Sequence, residues 1–459
     1  MLSAVKNECD KLECTLSVTL LLRSRKIALI LPLTYPYTCL PKHIYFMKGN
    51  NKFLKILLLG LLSAIGPFSI DMYLPGFPNI AKELQTDVSN VSLTLSSFFI
   101  GISAGQLLYG PLLDKYGRKK PLYFGLSLYI LASLGCAIST SVNMLIIFRF
   151  LQALGGCAGM VASRAMVRDL FDVKESAKVF SLLMLVIGVS PLLAPTIGGY
   201  VTAAIGWRYV FIILLAIVLI ILLLCIFLLP ESKQPSPDYS LAPVAILKRF
   251  ADVFKQPQFV IYTFASAFTA AGLYAYVAGS PHVFMEVFGA SEKLYGWIFA
   301  LIAGALIVAT QINAQILRVT SSEKIIPRAI FFQTGAGILL FIGFANNWWG
   351  MTSSIILCSI FLACQGFTFP NASALALAPF EQNAGSASAL LGCIQMATGA
   401  FSSAMVSVFH DKTATPLGLM MGFCALTALS ILLTGKGIVR YRARKTEVEK
   451  SSVDMISEL

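Results

Sequence analysis

Residues 210–229 read VFIILLAIVLIILLLCIFLL, with no charged or amide side chain from end to end. The run exceeds the roughly 18 residues at which an α-helix crosses the hydrocarbon core. It is apolar all round instead of alternating, so it predicts a transmembrane helix and not a barrel strand. Working outward in both directions, charge and turn clusters bound eleven further runs. The twelve predicted spans cover 54–74, 91–113, 122–140, 144–167, 179–204, 207–229, 259–279, 294–316, 326–345, 348–372, 386–409 and 416–439. Lys and Arg crowd one set of loops, while the opposite set holds only Lys82, Arg208, Lys293 and Lys412. Cationic loops stay in the cytoplasm, which predicts both termini there.

Composition agrees. Of 459 residues 57% are hydrophobic and 12% charged, and the mean hydropathy is +0.78; soluble domains carry about a quarter charged residues. A soluble enzyme and a disordered chain are excluded. The 35 Lys and Arg against 22 Asp and Glu leave +13, but the loops account for this excess, so the expected partner is the bilayer and not nucleic acid. The ten cysteines form no C-x-x-C pair; the seven within apolar runs read as small packing residues, with no metal site and no cofactor expected.

The chain divides by pattern. Residues 1–46 mix Tyr, Cys and Pro with apolar pieces too short to cross, whereas Met47 opens a basic stretch leading straight into a span. This reads as an upstream extension or a weakly ordered tail. Six spans follow over 47–229, then a Pro- and charge-rich linker over 230–258, six more over 259–439, and a tail over 440–459. Superposing the halves aligns Ala153 with Ala363, Gly156 with Gly366, Ser163 with Ser373 and Ala177 with Ala387, a weak trace of a parallel repeat.

Between the second and third spans stands Gly110-Pro-Leu-Leu-Asp114-Lys-Tyr-Gly117-Arg118-Lys119-Lys120-Pro121. An acid at a helix end, a turn glycine and a basic cluster form a polar clasp that can hold one packing arrangement and release another. The loop closely resembles the G-x-L-x-D-x-x-G-R-[RK] signature of the major facilitator superfamily. The resemblance implies twelve helices in two six-helix bundles, an all-α membrane fold. It also implies that Asp114 contacts a helix N-terminus in the other bundle and that Arg118 joins a charge network including Arg168 or Asp169. The matching place in the second half, Asn313-Ala-Gln-Ile-Leu-Arg318, lacks the Gly and Asp, so only the first copy is expected to switch.

Further stretches narrow the resemblance. The fourth span carries Phe148-Arg149-Phe-Leu-Gln152-Ala-Leu-Gly155-Gly156, matching a buried arginine followed by Gln and Gly. The fifth carries Ser190-Pro-Leu-Leu-Ala194-Pro195-Thr-Ile-Gly198-Gly199, similar to the antiporter motif G-x-x-x-G-P-x-x-G-G with its first two glycines replaced by Ser190 and Ala194. With Ser69-Ile-Asp71-Met-Tyr73-Leu-Pro75 and Met166-Val-Arg168-Asp169, these resemble the bicyclomycin and chloramphenicol resistance (Bcr/CflA) subfamily of drug–proton antiporters, over about Met47 to Arg444.

Asp71 is the candidate proton carrier. A mid-helix aspartate costs about 2.5 to 3.5 kcal/mol on insertion scales, so it is expected to face a cavity. Burial favours its protonated form and a nearby cation such as Arg149 its charged form, the balance a reversible carrier needs. A cap in water before Pro75 is the plainer alternative. Arg149 either tunes Asp71, binds an electron-rich substrate group, or donates to backbone carbonyls. Tyr73, Phe98, Phe99, Phe264, Phe268 and Tyr274, with the amides of Gln106, Asn313, Gln365, Asn371 and Gln395, are candidates for a cavity that accepts lipophilic drugs; interhelical packing is the alternative for each. Gly101-Ile-Ser103-Ala-Gly105 fits G-x-S-x-G but lies within an apolar helix without a strand-to-helix elbow. The three histidines, His43, His282 and His410, fall outside the predicted spans, and no G-x-x-x-x-G-K-[ST] occurs, which disfavours a hydrolase and an ATP-driven pump. The expectation is a monomeric, proton-driven exporter of small lipophilic drugs in a bacterial inner membrane. A proton-coupled metabolite transporter and, further off, a membrane enzyme or channel stay open.

Overall fold

The computed structural model describes residues 52–236, 243–380, 384–409 and 411–457. Segment 1–46, Met47 and His410 lie outside the described residues. Helix α1, Lys52–Asp71, is followed by a 3-10 turn at Leu74–Gly76 and α2, Phe77–Glu83. The first half continues with α3 (Val88–Tyr116), α4 (Lys119–Ala137), α5 (Val142–Leu170), α6 (Val173–Ile205) and α7 (Arg208–Leu228). After α8 (Pro243–Phe254) come α9 (Pro257–Pro281), α10 (Glu292–Ile316), α11 (Ser322–Ala345), α12 (Met351–Leu377), α13 (Ala384–Val408) and α14 (Thr415–Ser457). Among the described residues, 12 helical segments are long and apolar enough to cross a membrane.

Helix α5 packs on α1, α3 and α4, and α4 on α7; in the second half α9 packs on α12, α13 and α14, and α11 on α12 and α14. The halves meet along two seams, α3 against α13 and α6 against α10. The lipid-facing helix α7 exposes Ile212, Leu219, Ile220 and Phe227 on one side and buries Val210, Leu214, Val218 and Ile221 on the other. Small polar side chains join the α3 seam: Ser96 Oγ donates to Ser403 Oγ (2.8 Å) and Ser103 Oγ to the Cys393 carbonyl (3.0 Å). Ser103 is thus a packing residue of the seam.

Four boundaries differ from the sequence reading. Helix α14 runs on to Ser457, through the stretch read as a tail. Charges end the apolar run there, but no Gly or Pro follows Gly437, and Arg, Lys and Glu continue a helix well. The linker contains α8, which opens on Pro243, favoured in a first helical turn, and seats Phe250 and Val253 against the second half. Helix α9 continues through a π-helical turn at His282–Val287, so His282 is buried within a helix and not in a loop. Finally, α1 ends at Asp71, although the chain goes on as a helical segment to Glu83.

Candidate functional site

The clasp forms where α3 hands over to α4. Gly117 turns the chain at φ +83°, a region that side-chain-bearing residues rarely occupy. Arg118 is buried and donates from Nε to Asp169 Oδ2 (2.7 Å), from Nη2 to Asp169 Oδ1 (3.3 Å) and from Nη1 to Asp114 Oδ1 (3.0 Å). Burial opposes its charge, but hydrogen bonds and attraction from Asp169 and Asp114 outweigh this and raise its pKa above the ordinary value. Asp114 Oδ1 also accepts from Lys233 Nζ (2.7 Å), and Asp169 Oδ2 from Ser232 Oγ (2.9 Å). Glu231 accepts the backbone N–H groups of Arg118 (2.7 Å) and Lys119 (3.1 Å), satisfying orphan donors at the start of α4.

Asp169 thus joins the network that the sequence anticipates, while Arg168 lines a neighbouring cavity. Asp114 bonds to Arg118 and Lys233 and faces the start of α13, at Gly385 and Ser386, across that cavity of about 480 Å³. Glu231, Ser232 and Lys233 escape a sequence reading: they stand in a charge-rich linker more than a hundred residues away, and their one signal is an acid–hydroxyl–base run just past a span.

Gly117→Ala is expected to destabilise the protein by about 1 to 3 kcal/mol, the usual cost of a residue forced into such backbone. An added Cβ there also stands 3.0 Å from Glu231 Oε2. Gly110→Ala, inside α3 with nothing within 4 Å of the new Cβ, is expected to leave the thermal midpoint of the purified protein level or raise it, since alanine suits a helix better than glycine. Equal midpoints for the two variants would contradict this account.

At the other end of the first half, Asp71 is the last residue of α1. It stands neither at mid-helix nor in water, being 5% exposed. Among the described residues no side chain hydrogen-bonds or ion-pairs with its carboxylate, and Tyr274, Tyr276 and Tyr295 from the second half lie within electrostatic reach. Arg149 makes no ion pair with it. Its guanidinium is fully buried between the rings of Tyr73 (4.2 Å) and Phe98 (4.1 Å), and Nη1 donates to Gln152 Oε1 (2.6 Å). The two π faces attract the cation, and among the described residues Nε and Nη2 make no hydrogen bond. From Gln152 a polar chain runs through Ser133 Oγ (2.8 Å) and the Tyr129 carbonyl, and the Tyr129 hydroxyl meets Ser69 Oγ (2.6 Å), two residues before Asp71. Neither Tyr129 nor Ser133 stands in a motif.

The antiporter-like stretch of α6 packs onto the same place. A Cβ at Gly198 would lie 1.8 Å from the Met72 carbonyl oxygen, and one at Gly199 2.5 Å from the Glu292 carbonyl oxygen. Pro195 abuts Gly296, Ala194 is fully buried, and Ser190 Oγ is spent on the Val186 carbonyl (2.9 Å). Asn79 Nδ2 reaches Glu292 Oε1 (3.3 Å) across the halves.

The aromatic and amide candidates do not form one pocket. Tyr73 and Phe98 hold Arg149, with the Tyr73 hydroxyl on Thr94 Oγ1 (2.9 Å). Phe99 and Tyr274 meet between the halves at 4.5 Å, and within the second half Gln395 Nε2 donates to Ser266 Oγ (3.0 Å). Gln106 lies against Gly392 and borders the clasp-side cavity. Asn371 Nδ2 donates to Asn313 Oδ1 (2.7 Å) and its Oδ1 accepts from Ser322 (2.7 Å), a knot within the second half. Gln365 is buried with Oε1 unpaired, Phe268 packs into the core of the second half, and Phe264 is half-buried. Among the described residues no cluster of metal-ligating side chains occurs.

Residues 59–403 match the family model of the Major Facilitator Superfamily. The chain belongs to the major facilitator superfamily. It is 32% identical to the uncharacterised MFS-type transporter YdgK of Bacillus subtilis, over 81% of this chain and 93% of that one. It is 32% identical to the bicyclomycin resistance protein homolog of Haemophilus influenzae, over 83% and 95%, and 31% identical to the multidrug resistance protein MdtL of Escherichia coli, over 72% and 82%. A D-xylose–proton symporter shares the fold at a TM-score of 0.66 and 16% identity, covering 84% of this chain and 99% of the symporter. This major facilitator protein is therefore a multi-pass membrane transporter, and its relatives include proteins named for drug resistance.

Proposed function

We propose that this major facilitator protein exports small lipophilic antimicrobials, of phenicol or bicyclomycin type, in exchange for protons. It does so as a monomer in a bacterial inner membrane with both termini cytoplasmic. The observation that carries the reading is Asp71, buried with no cation and no hydrogen-bond donor on its carboxylate among the described residues. Such a carboxylate is an expensive charge to keep out of water, and binding a proton removes the cost. Asp71 stands where α1, the Gly198 face of α6 and the tyrosines of α9 and α10 converge, so its charge bears on how the halves pack. Facing outward, Asp71 takes up a proton as drug leaves; rocking of the halves carries the proton in, and the deprotonated site accepts drug again. Arg149 is the fixed cation of the same bundle, tied to α1 through Gln152, Ser133, Tyr129 and Ser69. The clasp of Gly110, Asp114, Gly117, Arg118, Arg168 and Asp169 holds the cytoplasmic end between strokes. Phe99, Tyr274, Gln106 and Gln395, along the seam between the halves, are the side chains this reading offers to the drug.

The test is drug accumulation in an efflux-deficient bacterial host, with a phenicol, bicyclomycin and cationic-dye panel. Cells carrying the transporter are expected to hold less drug than control cells, and a protonophore is expected to erase the difference. Unchanged accumulation across the whole panel would remove the drug-export reading.

A further inference from the structure

The cavity of about 480 Å³ beside the clasp opens between α3, α5, α8 and α13. Its wall carries Arg118, Arg164, Arg168 and Arg249 against two acids, Asp114 and Asp169. Both acids are already engaged: Asp169 by Arg118 and Ser232, Asp114 by Arg118 and Lys233. Arg164 and Arg168 stand one turn apart on α5, where like charges repel. Among the described residues neither has a carboxylate within ion-pair distance. Across the cavity lies the first turn of α13, with the Ser386 and Ser388 hydroxyls on the wall. Guanidinium forks match the oxygens of a tetrahedral oxyanion, and a helix N-terminus adds N–H donors and a favourable dipole. The cavity therefore offers the charges of Arg164 and Arg168, hydroxyl donors and space for an anionic group with a substituent.

We propose that this cavity binds a phosphate-type oxyanion, held by Arg164 and Arg168 on one side and by Ser386 and Ser388 on the other. The bound group bridges α5 to α13, hence one half of the transporter to the other, at the end that carries the clasp. The same chemistry is available from an anionic lipid headgroup or from a soluble phosphate ester.

The test uses the purified, delipidated full chain at fixed ionic strength, with radiolabelled inorganic phosphate, dihexanoyl phosphatidylglycerol and dihexanoyl phosphatidylcholine as probes. Saturable binding of phosphate identifies a soluble oxyanion site, and saturable binding of phosphatidylglycerol alone identifies a headgroup site. If none of the probes binds saturably, or if phosphatidylcholine binds as tightly as phosphatidylglycerol, the proposal is overturned. Arg164→Gln and Arg168→Gln are each expected to weaken binding about tenfold or more, while Lys82→Gln at the opposite end leaves it unchanged. Should either arginine variant fail to elute as folded protein, Ser388→Glu, which places a negative charge in the cavity from another helix, must weaken binding in the same way. Folded variants that bind as tightly as the parent chain would also overturn it.

Discussion

Asp71→Asn is expected to abolish export while leaving a well-folded protein. Asparagine keeps the size and polarity of aspartate but cannot be charged, and Asp71 has no hydrogen bond or ion pair to lose among the described residues. The thermal midpoint should therefore stay level or rise, because the variant no longer has a carboxylate to desolvate. A structural acid held by a partner would show the reverse, since breaking a buried pair typically costs about 3 to 5 kcal/mol. Functionally, one proton crossing 100 mV supplies about 2.3 kcal/mol, enough for a gradient of roughly fiftyfold, and that gradient should vanish. Cells with the variant at matched expression are expected to accumulate as much drug as cells without a transporter, and a protonophore should add nothing. In proteoliposomes, drug exchange without a proton gradient should persist while pH-driven transport is lost. An Asn variant that still exports under proton control would move the coupling residue elsewhere and leave drug export itself intact.

Gly198→Ala is expected to be the most damaging small substitution in α6. The added Cβ would fall 1.8 Å from the Met72 carbonyl oxygen, a distance no real contact sustains, and its neighbour is backbone that cannot rotate away. Either α6 withdraws from the turn after α1 or that turn shifts, and the next residue on, Gly199, is already pressed on Glu292. Overpacking of this kind typically costs about 1 to 3 kcal/mol. Here it also moves the backbone that carries Asp71, so export should fall together with the thermal midpoint. Gly188→Ala is the matched control: on the same helix, its Cβ meets only Ile307 at 3.9 Å, and alanine suits a helix better than glycine. Fluorescence-detected size exclusion and a melting curve distinguish the two, and a Gly198→Ala protein as stable and active as Gly188→Ala would show that the close approach is not required.

Much of this transporter is legible along the chain, because the properties concerned are local. Each span announces itself by its own apolar run, as 210–229 does, and Asp114, Gly117 and Arg118 sit close enough in sequence for spacing to expose a clasp. The misjudged boundaries have local causes too: hydropathy reports where a helix leaves apolar surroundings and not where its hydrogen bonds stop, so α14 passes unnoticed into a charged stretch.

The candidate site is another matter. Arg149 and Asp71 read as natural partners in one dimension, yet the guanidinium is taken up by two aromatic rings and Gln152. Glu231 and Lys233 complete the clasp from the far side of four helices. The amides, read together as one lining, separate into the seam, the cavity wall and an Asn313–Asn371 knot. Apolar length and short-range spacing act within one segment, so the number of spans, their membrane character and the clasp loop can all be read along the chain. Which buried charges meet and which stay apart emerges in three dimensions, because partners for an arginine or a carboxylate are chosen by distances across helices, which no spacing along the chain records.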